Sequence, residues 1–265
     1  MVPKPRILDA LIRHVPEDAA IVEVSVGIFW TFVQTQYGSA ISASAHRWCE
    51  DPPGAIIPFA GDLIGMRVRD VFSLYDSDSL TARSLANAAV SASFNSLGMT
   101  GRCVPGRGQD IIASICNHAA KPLRIALIGH FHFADELRAL GHHLDVFEME
   151  GRCEPGDISN TRIPEFIPLA DVVIMTSSTI ITHTTESILQ QASPDAQKLI
   201  IGPTVPLHPI LWDYGLDAIC GSIVTDPTEV AIAARQGGNH KQFTGCQKVN
   251  YLRPAANAQS AQSRS

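Results

Sequence analysis

Two imidazoles and two stretches of hydroxyl side chains are the residues of this chain best suited to chemistry on a small ligand. The string Gly129-His130-Phe131-His132-Phe133 follows the apolar run RIALI. A histidine in such a strand-to-helix loop can donate or accept a proton near neutral pH. His130 therefore reads either as a general acid–base group or as a capping or packing residue, and His132 as a structural one. Glu148, with Glu150 beside it, stands about 20 positions beyond Gly129, the spacing at which dinucleotide folds hold a ribose hydroxyl. The glycine fingerprint of those folds is absent, because His130 and Phe131 stand where a pyrophosphate needs bare backbone. An ordinary dinucleotide is disfavoured, whereas an adenosine-type or other small hydroxylated ligand stays open.

The second stretch, TSSTIITHTTE at 176–186, presents Thr176, Ser178 and Thr179 ahead of a helix. Helix N-termini leave N–H groups unpaired and favour an anion. The same residues fit a plain cap, with Thr182 or Thr184 closing a capping box with Glu186. Glu186 is also a candidate general acid or base. In GPTVPLHP, Gly202 and Pro203 make a rigid turn that would present Thr204 or His208 to a ligand, and Gly221-Ser222 ends a further strand. No nucleophile elbow, phosphate-binding loop or H-E-x-x-H occurs. None of the six cysteines sits in a C-x-x-C, so they read as reduced thiols and not as a zinc or redox set. GRC-x-PG occurs twice, at 101–106 and 151–156, and reads as two similar Pro-Gly turns rather than as a Cys103–Cys153 metal pair.

The chain that must position these groups has 265 residues, 45% hydrophobic and 17% charged, which is apolar enough for a sizeable core. Its formal charge is −6 and its 20 Lys and Arg are scattered, so nucleic acid is not an expected partner. No apolar run approaches the roughly 18 residues of a membrane span, and no secretory pattern opens the chain. A cytoplasmic protein that handles a small molecule is the expectation, with homo-oligomerisation left open.

Residues 1–100 read as an α+β domain. A helical face at 6–14 precedes Val22, Val24 and Val26, which alternate with polar residues as a half-buried strand does. Gly27 and Gly38 divide the following run into two or three antiparallel strands. A loop at 46–61 and a short helix at about 65–75 come next. A helix then begins at Asp78 or Ser79 and closes at Gly98. Residues 101–121 read as a linker and connecting helix. From 122 to 238, short apolar runs (RIALIG, LDVFEM, DVVIMT, KLIIG, DAIC) alternate with helical stretches near 162–169, 184–192 and 227–236. That is the pattern of a doubly wound, Rossmann-like parallel sheet of about five strands. Residues 239–265 read as a C-terminal tail, partly disordered. Ligands of such sheets gather outside the carboxyl ends of the strands, where His130, Glu148 and the 176–184 loop fall.

Several of these strings resemble one family. GHF, TSSTIITHT within DVVIMTSSTIITHTTESIL, IIGPTVPLHPILWDYGLDAICGSIV, GIFWTFVQTQYG and AGDLIG are similar to the heavy-metal-chelation proteins, a largely uncharacterised group. The resemblance covers most of residues 8–238. It implies an enolase N-terminal-like domain ahead of the Rossmann-like one, with an active site between them. It also adds Trp30, Thr31 and Asn95 as ligand-contacting candidates. Where the family has Asn in T-x-x-N-x-T this chain has His183, a change that bears on ligand choice or metal affinity. Three functions follow as expectations. The first is an enzyme on a small polar metabolite, in the biosynthesis of a metal-chelating or specialised product, with His130 or His183 moving protons. The second is a protein holding a divalent transition metal or a metal chelate, with His130, His183 and His208 as ligands. The third is a user of S-adenosylmethionine or another nucleotide.

Overall fold

The computed structural model describes residues 4–45, 53–54, 56–96, 98 and 102–254. Half of the expected 46–61 loop, the first residue of the 101–121 linker and residues 255–265 of the expected tail lie outside them. Helix α1 (Ile7–Leu11) leads into three antiparallel strands, β1 (Ile21–Val26), β2 (Trp30–Thr35) and β3 (Gly38–Ala43). Helix α2 (Val68–Val71) is short, and α3 (Leu80–Ala92) follows it. Ser79, not Asp78, caps α3, its hydroxyl accepting from the Ala82 N–H at 3.2 Å. The helix ends at Ala92 rather than at Gly98. Just beyond it the Asn95 N–H still reaches the Ser91 carbonyl at 2.8 Å, while its side chain accepts from the Leu207 N–H.

The other sheet has eight strands. In chain order they are β4 (Val104–Pro105), β5 (Arg124–Ile128), β6 (His143–Glu148), β7 (Ile158–Ser159), β8 (Val172–Thr176), β9 (Gln197–Ile201), β10 (Ala218–Val224) and β11 (Cys246–Leu252). Their spatial order is β4-β11-β10-β9-β8-β5-β6-β7. From β7 to β10 all neighbours are parallel. Numbered along the chain, these six strands lie 3-2-1-4-5-6, the order of a doubly wound dinucleotide fold. Chain direction across the sheet reverses between β5 and β8, so the loops after those two strands flank the switch point.

Helices α4 (Gly108–Asn117), α5 (Ala134–Ala139), α6 (Ile163–Phe166), α7 (Thr185–Gln191) and α8 (Pro227–Arg235) complete the fold. The helix expected at 162–169 is cut to one turn of α-helix with 3-10 turns on both sides. Pro164 and Pro168 lack the N–H groups that a longer helix would need. The sheet also has more strands than the five expected. Cys246–Leu252, read from sequence as tail, pairs antiparallel with β10 along seven residues and carries β4 on its far side.

The two sheets share a core. Every residue of α3 except Arg83 is buried. Its alanines and serines let β2, β3 and the turn after β9 pack close against it. Asn87 on α3 donates to Ser42 Oγ at 3.1 Å and to the Thr204 carbonyl at 2.8 Å, tying the small sheet to the large one. One apolar cluster runs from Leu8 and Leu85 to Met175 and Ile219. No helix among the described residues is long and apolar enough to cross a membrane.

Candidate functional site

The switch point opens into a cavity of about 580 Å3. Its walls are the loop after β5 (Gly129, His130, Phe131), the end of β6 (Glu148), and the hydroxyl-rich loop after β8 (Thr176, Ser178, Thr179, Thr182, His183, Thr184). The sequence placed these loops together because each ends a parallel strand, and the topology makes those ends neighbours.

His130 is held by two carboxylates. Its Nδ1 lies 3.1 Å from Asp157 Oδ2 and its Nε2 3.5 Å from Glu154 Oε2. The Asp157 side chain is 1% exposed, whereas that of His130 is 32% exposed. The turn Glu154-Pro155-Gly156-Asp157 builds this clamp. The Asp157 N–H donates to the Glu154 carbonyl at 2.9 Å, and Gly156 takes a φ of +96°. Pro followed by a positive-φ Gly is the pattern of a type II turn. A carboxylate on Nδ1 selects the tautomer and orients the ring, as in hydrolytic triads. Sequence reading did not find Asp157 or Glu154. The Pro-Gly turn was the available signal, but nothing in it said which histidine it would face.

Glu148 is 9% exposed. One oxygen accepts from the His130 N–H at 3.1 Å and the other from the Met149 N–H at 2.7 Å. It braces the loop that carries His130, so a ribose would have to share oxygens already bonded to backbone.

His183 takes a φ of +58°, the left-handed region in which Asn is better tolerated than most side chains. Its ring sits edge-on to Tyr75 with centroids 4.4 Å apart, and its Nε2 is buried without a hydrogen-bond partner. Burial, then the positive charges of Arg83 and Arg6, pull its pKa down to about 4. It is a neutral ring at neutral pH.

A second cavity, of about 370 Å3, lies across a ridge made by His130, Phe131, Thr176 and Ser178, which line both. Trp30, Gly202, Pro203 and Thr204 line this second space, with Trp30 contributed by the small sheet. The other candidates do structural work. Thr31 is fully buried and shares a hydrogen bond with Ser44 at 3.0 Å. Asn95 is 1% exposed and supports the Leu207 N–H at 2.8 Å. Thr204 Oγ1 accepts from the Ala43 N–H at 3.0 Å. Gly202 allows its backbone to touch Ser177: it has a φ of +138°, and a Cβ there would collide with the Ser177 hydroxyl.

Three sequence expectations are corrected. Glu186 faces neither cavity and forms no capping box. Its carboxylate accepts from the Ile7 N–H at 2.6 Å, pinning α1, and no side chain caps α7. His208 stands apart from His130 and His183. Its ring lies between His14 and Phe94, with centroids 5.1 and 4.7 Å away, and its Nδ1 accepts from the Ile210 N–H. Burial and the neighbouring His14 and Arg102 hold its pKa at about 4. The three histidines therefore do not converge on a metal, and the described residues contain no group of three or more His, Cys, Asp or Glu suited to a bare ion. Finally, His132 lines the second cavity, beside Gln109 at 3.4 Å, rather than serving only as packing.

The fold recurs in solved proteins of unknown function. A DUF364-family protein from Desulfitobacterium hafniense superposes with a TM-score of 0.76 at 22% identity, covering 93% of this chain and 97% of that one. Another from Pyrococcus horikoshii gives 0.73 at 19% identity with the same coverage. No curated protein matches the chain. Residues 8–94 match the DUF4213 model and residues 112–253 the DUF364 model, each described as "Putative heavy-metal chelation". The chain belongs to the DUF364 family.

Proposed function

We propose that this protein binds a small polar organic molecule in the switch-point cavity and uses His130 to transfer a proton on it. The observation that carries this reading is the clamp on His130. A buried aspartate on Nδ1 fixes the ring at the cavity wall, the arrangement that lets an imidazole act as a positioned acid or base. The hydroxyls of Thr176, Ser178, Thr179, Thr182 and Thr184 line the same space and suit a ligand rich in hydrogen-bonding groups. The metal-chelation description of the family is compatible with this site if the molecule handled is a chelator or a finished chelate. Such a ligand brings its own donor atoms and asks the protein for only one or two contacts.

The test is native mass spectrometry of the untagged full-length protein, followed by extraction of the bound molecule. Thr184 is exposed at the cavity wall, so Thr184→Phe fills the space at little cost to folding. A bound organic mass that disappears in Thr184→Phe is the expected result. Stoichiometric Ni, Co, Cu or Zn with no organic component would overturn the reading, as would a bound mass indifferent to Thr184→Phe.

A further inference from the structure

The second cavity has a charge pattern that proton transfer at His130 does not use. Arg107, His132, His240 and Lys248 line it, and no Asp or Glu among the described residues does so. An adjoining pocket of about 330 Å3 shares His240 and Lys248, adds Lys241, and again has no carboxylate in its lining. Arg107, Lys241 and Lys248 thus bring fixed positive charge to one surface of a chain whose formal charge is −6. A concave surface of one sign focuses its field on a ligand of the other.

The parts come from three places in the sequence. Lys248 is exposed on β11, and His240 precedes that strand on a 3-10 turn. Arg107 stands at the N-terminal end of α4, fixed by Asp110 at 3.1 Å. Gly108 begins α4, and a Cβ there would lie 2.9 Å from Cys220 Cβ and 3.0 Å from Ile201 Cδ1. Only glycine lets the ten-residue helix start directly against β9 and β10, with its partial positive end at the cavity wall. Burial first, then Lys248, Lys241 and His132, push the His240 pKa down. The two lysines thus act on one imidazole with no carboxylate beside it to offset them. Trp30 closes the wall, its ring edge-on to His240 with centroids 6.1 Å apart.

We propose that this cavity is the subsite for an anionic end, a phosphate or a carboxylate, of the molecule whose body occupies the switch-point cavity. The inference rests on the function proposed for that neighbouring space. It narrows the substrate class to polar metabolites carrying an anionic group. His130, Phe131, Thr176 and Ser178 line both spaces, so a ligand lying across them has its anion beside Lys248 and its body beside the His130–Asp157 pair.

The full-length protein is titrated with inorganic phosphate and, separately, with malonate at constant ionic strength, with binding read from backbone amide shifts. The expected result is saturable binding of at least one probe, with shifts centred on residues 106–109, 240 and 248. Lys248→Glu should weaken it by about tenfold or more, and Arg107→Gln should weaken it too. Lys121→Glu makes the same charge change just ahead of β5, at the amino-terminal ends of the parallel strands, and should leave it unaltered. Saturable binding of neither probe, or equal weakening by Lys248→Glu and Lys121→Glu, would overturn the subsite. If that happens while the organic mass still depends on Thr184, the subsite falls alone. If anions bind as expected but no organic mass depends on Thr184, the proposed function falls alone.

Discussion

The string GRC-x-PG occurs on each side of the ridge, and the two copies are used in opposite ways. In the first, Val104-Pro105 is a two-residue strand paired with β11, and the chain runs on to Arg107 at the cationic cavity. In the second, Glu154-Pro155-Gly156 is a turn, and the chain runs on to Asp157, which grips His130. The matching letters reverse the chain only in the second copy, and the Pro-Gly turn read from sequence in the first is a strand instead. The one variable position, Val104 against Glu154, and the residue after the string, Arg107 against Asp157, decide whether the region gathers positive charge or orients an imidazole. Similar local sequence therefore sits beside two different electrostatic environments, one suited to holding a charge and the other to moving a proton.

The largest expected effect separates the two sides directly. Asp157→Asn keeps the shape of the clamp but removes the anion on Nδ1. It should slow turnover of the extracted ligand by about 10²- to 10⁴-fold while leaving phosphate or malonate titrations unchanged. Single-turnover rates and amide-shift titrations on the same variant would test this, and an unaltered rate would mean that the clamp only packs the loop. Next in size, Gly202→Ala forces a Cβ onto Ser177 at a φ that alanine avoids. It should cost about 3 kcal/mol and lower the Tm by roughly 5–10 °C. A calorimetric Tm equal to the wild type would show that this wall yields easily.

Asn95→Ala removes the buried acceptor of the Leu207 N–H and should cost about 2 kcal/mol in denaturant unfolding. Ligand retention should be unchanged, because Asn95 lines neither cavity. Loss of ligand without loss of stability would return Asn95 to the site. The smallest effect concerns pH. The folded-state pKa values of His183 and His208, each about 4, lie below the ordinary histidine value of 6.5. Between those values the unfolded chain binds more protons than the folded one, so stability falls as pH drops from about 6.5 towards 4 and is flat above that window. His183→Asn should remove part of that slope and leave the shares of His208 and His240, whose pKa is also lowered, and Asn suits the left-handed backbone at this position. Thermal melts at pH 7 and pH 5 would check this, and an unchanged slope would assign the acid sensitivity to His208 or to other groups.

Much of the sheet was legible because its signal is local. Continuous apolar runs such as RIALI and VVIM mark strands buried on both faces. Strand ends then locate His130, Glu148 and the hydroxyl loop at one edge. Strand β11 was missed although Val249 and Tyr251 alternate with Lys248 and Asn250, because the polar, low-complexity end of the chain dominated the reading. Thr31, Asn95 and Thr204 resembled ligand groups by type, but the sequence did not show that each is buried on a partner within the fold, as a polar side chain sealed from water must be.

The sequence by itself determined that the carboxyl edge of a doubly wound sheet carries the hydroxyls and His130, since strand periodicity and loop composition are written within a few residues. Only the tertiary structure decided that Asp157 meets His130, that Glu186 holds α1, and that Arg107 joins His240 and Lys248 around one cavity. Those groups stand 27, 179 and more than 130 positions apart. Electrostatic and hydrogen-bonding partners are set by distance through space, which no local pattern encodes.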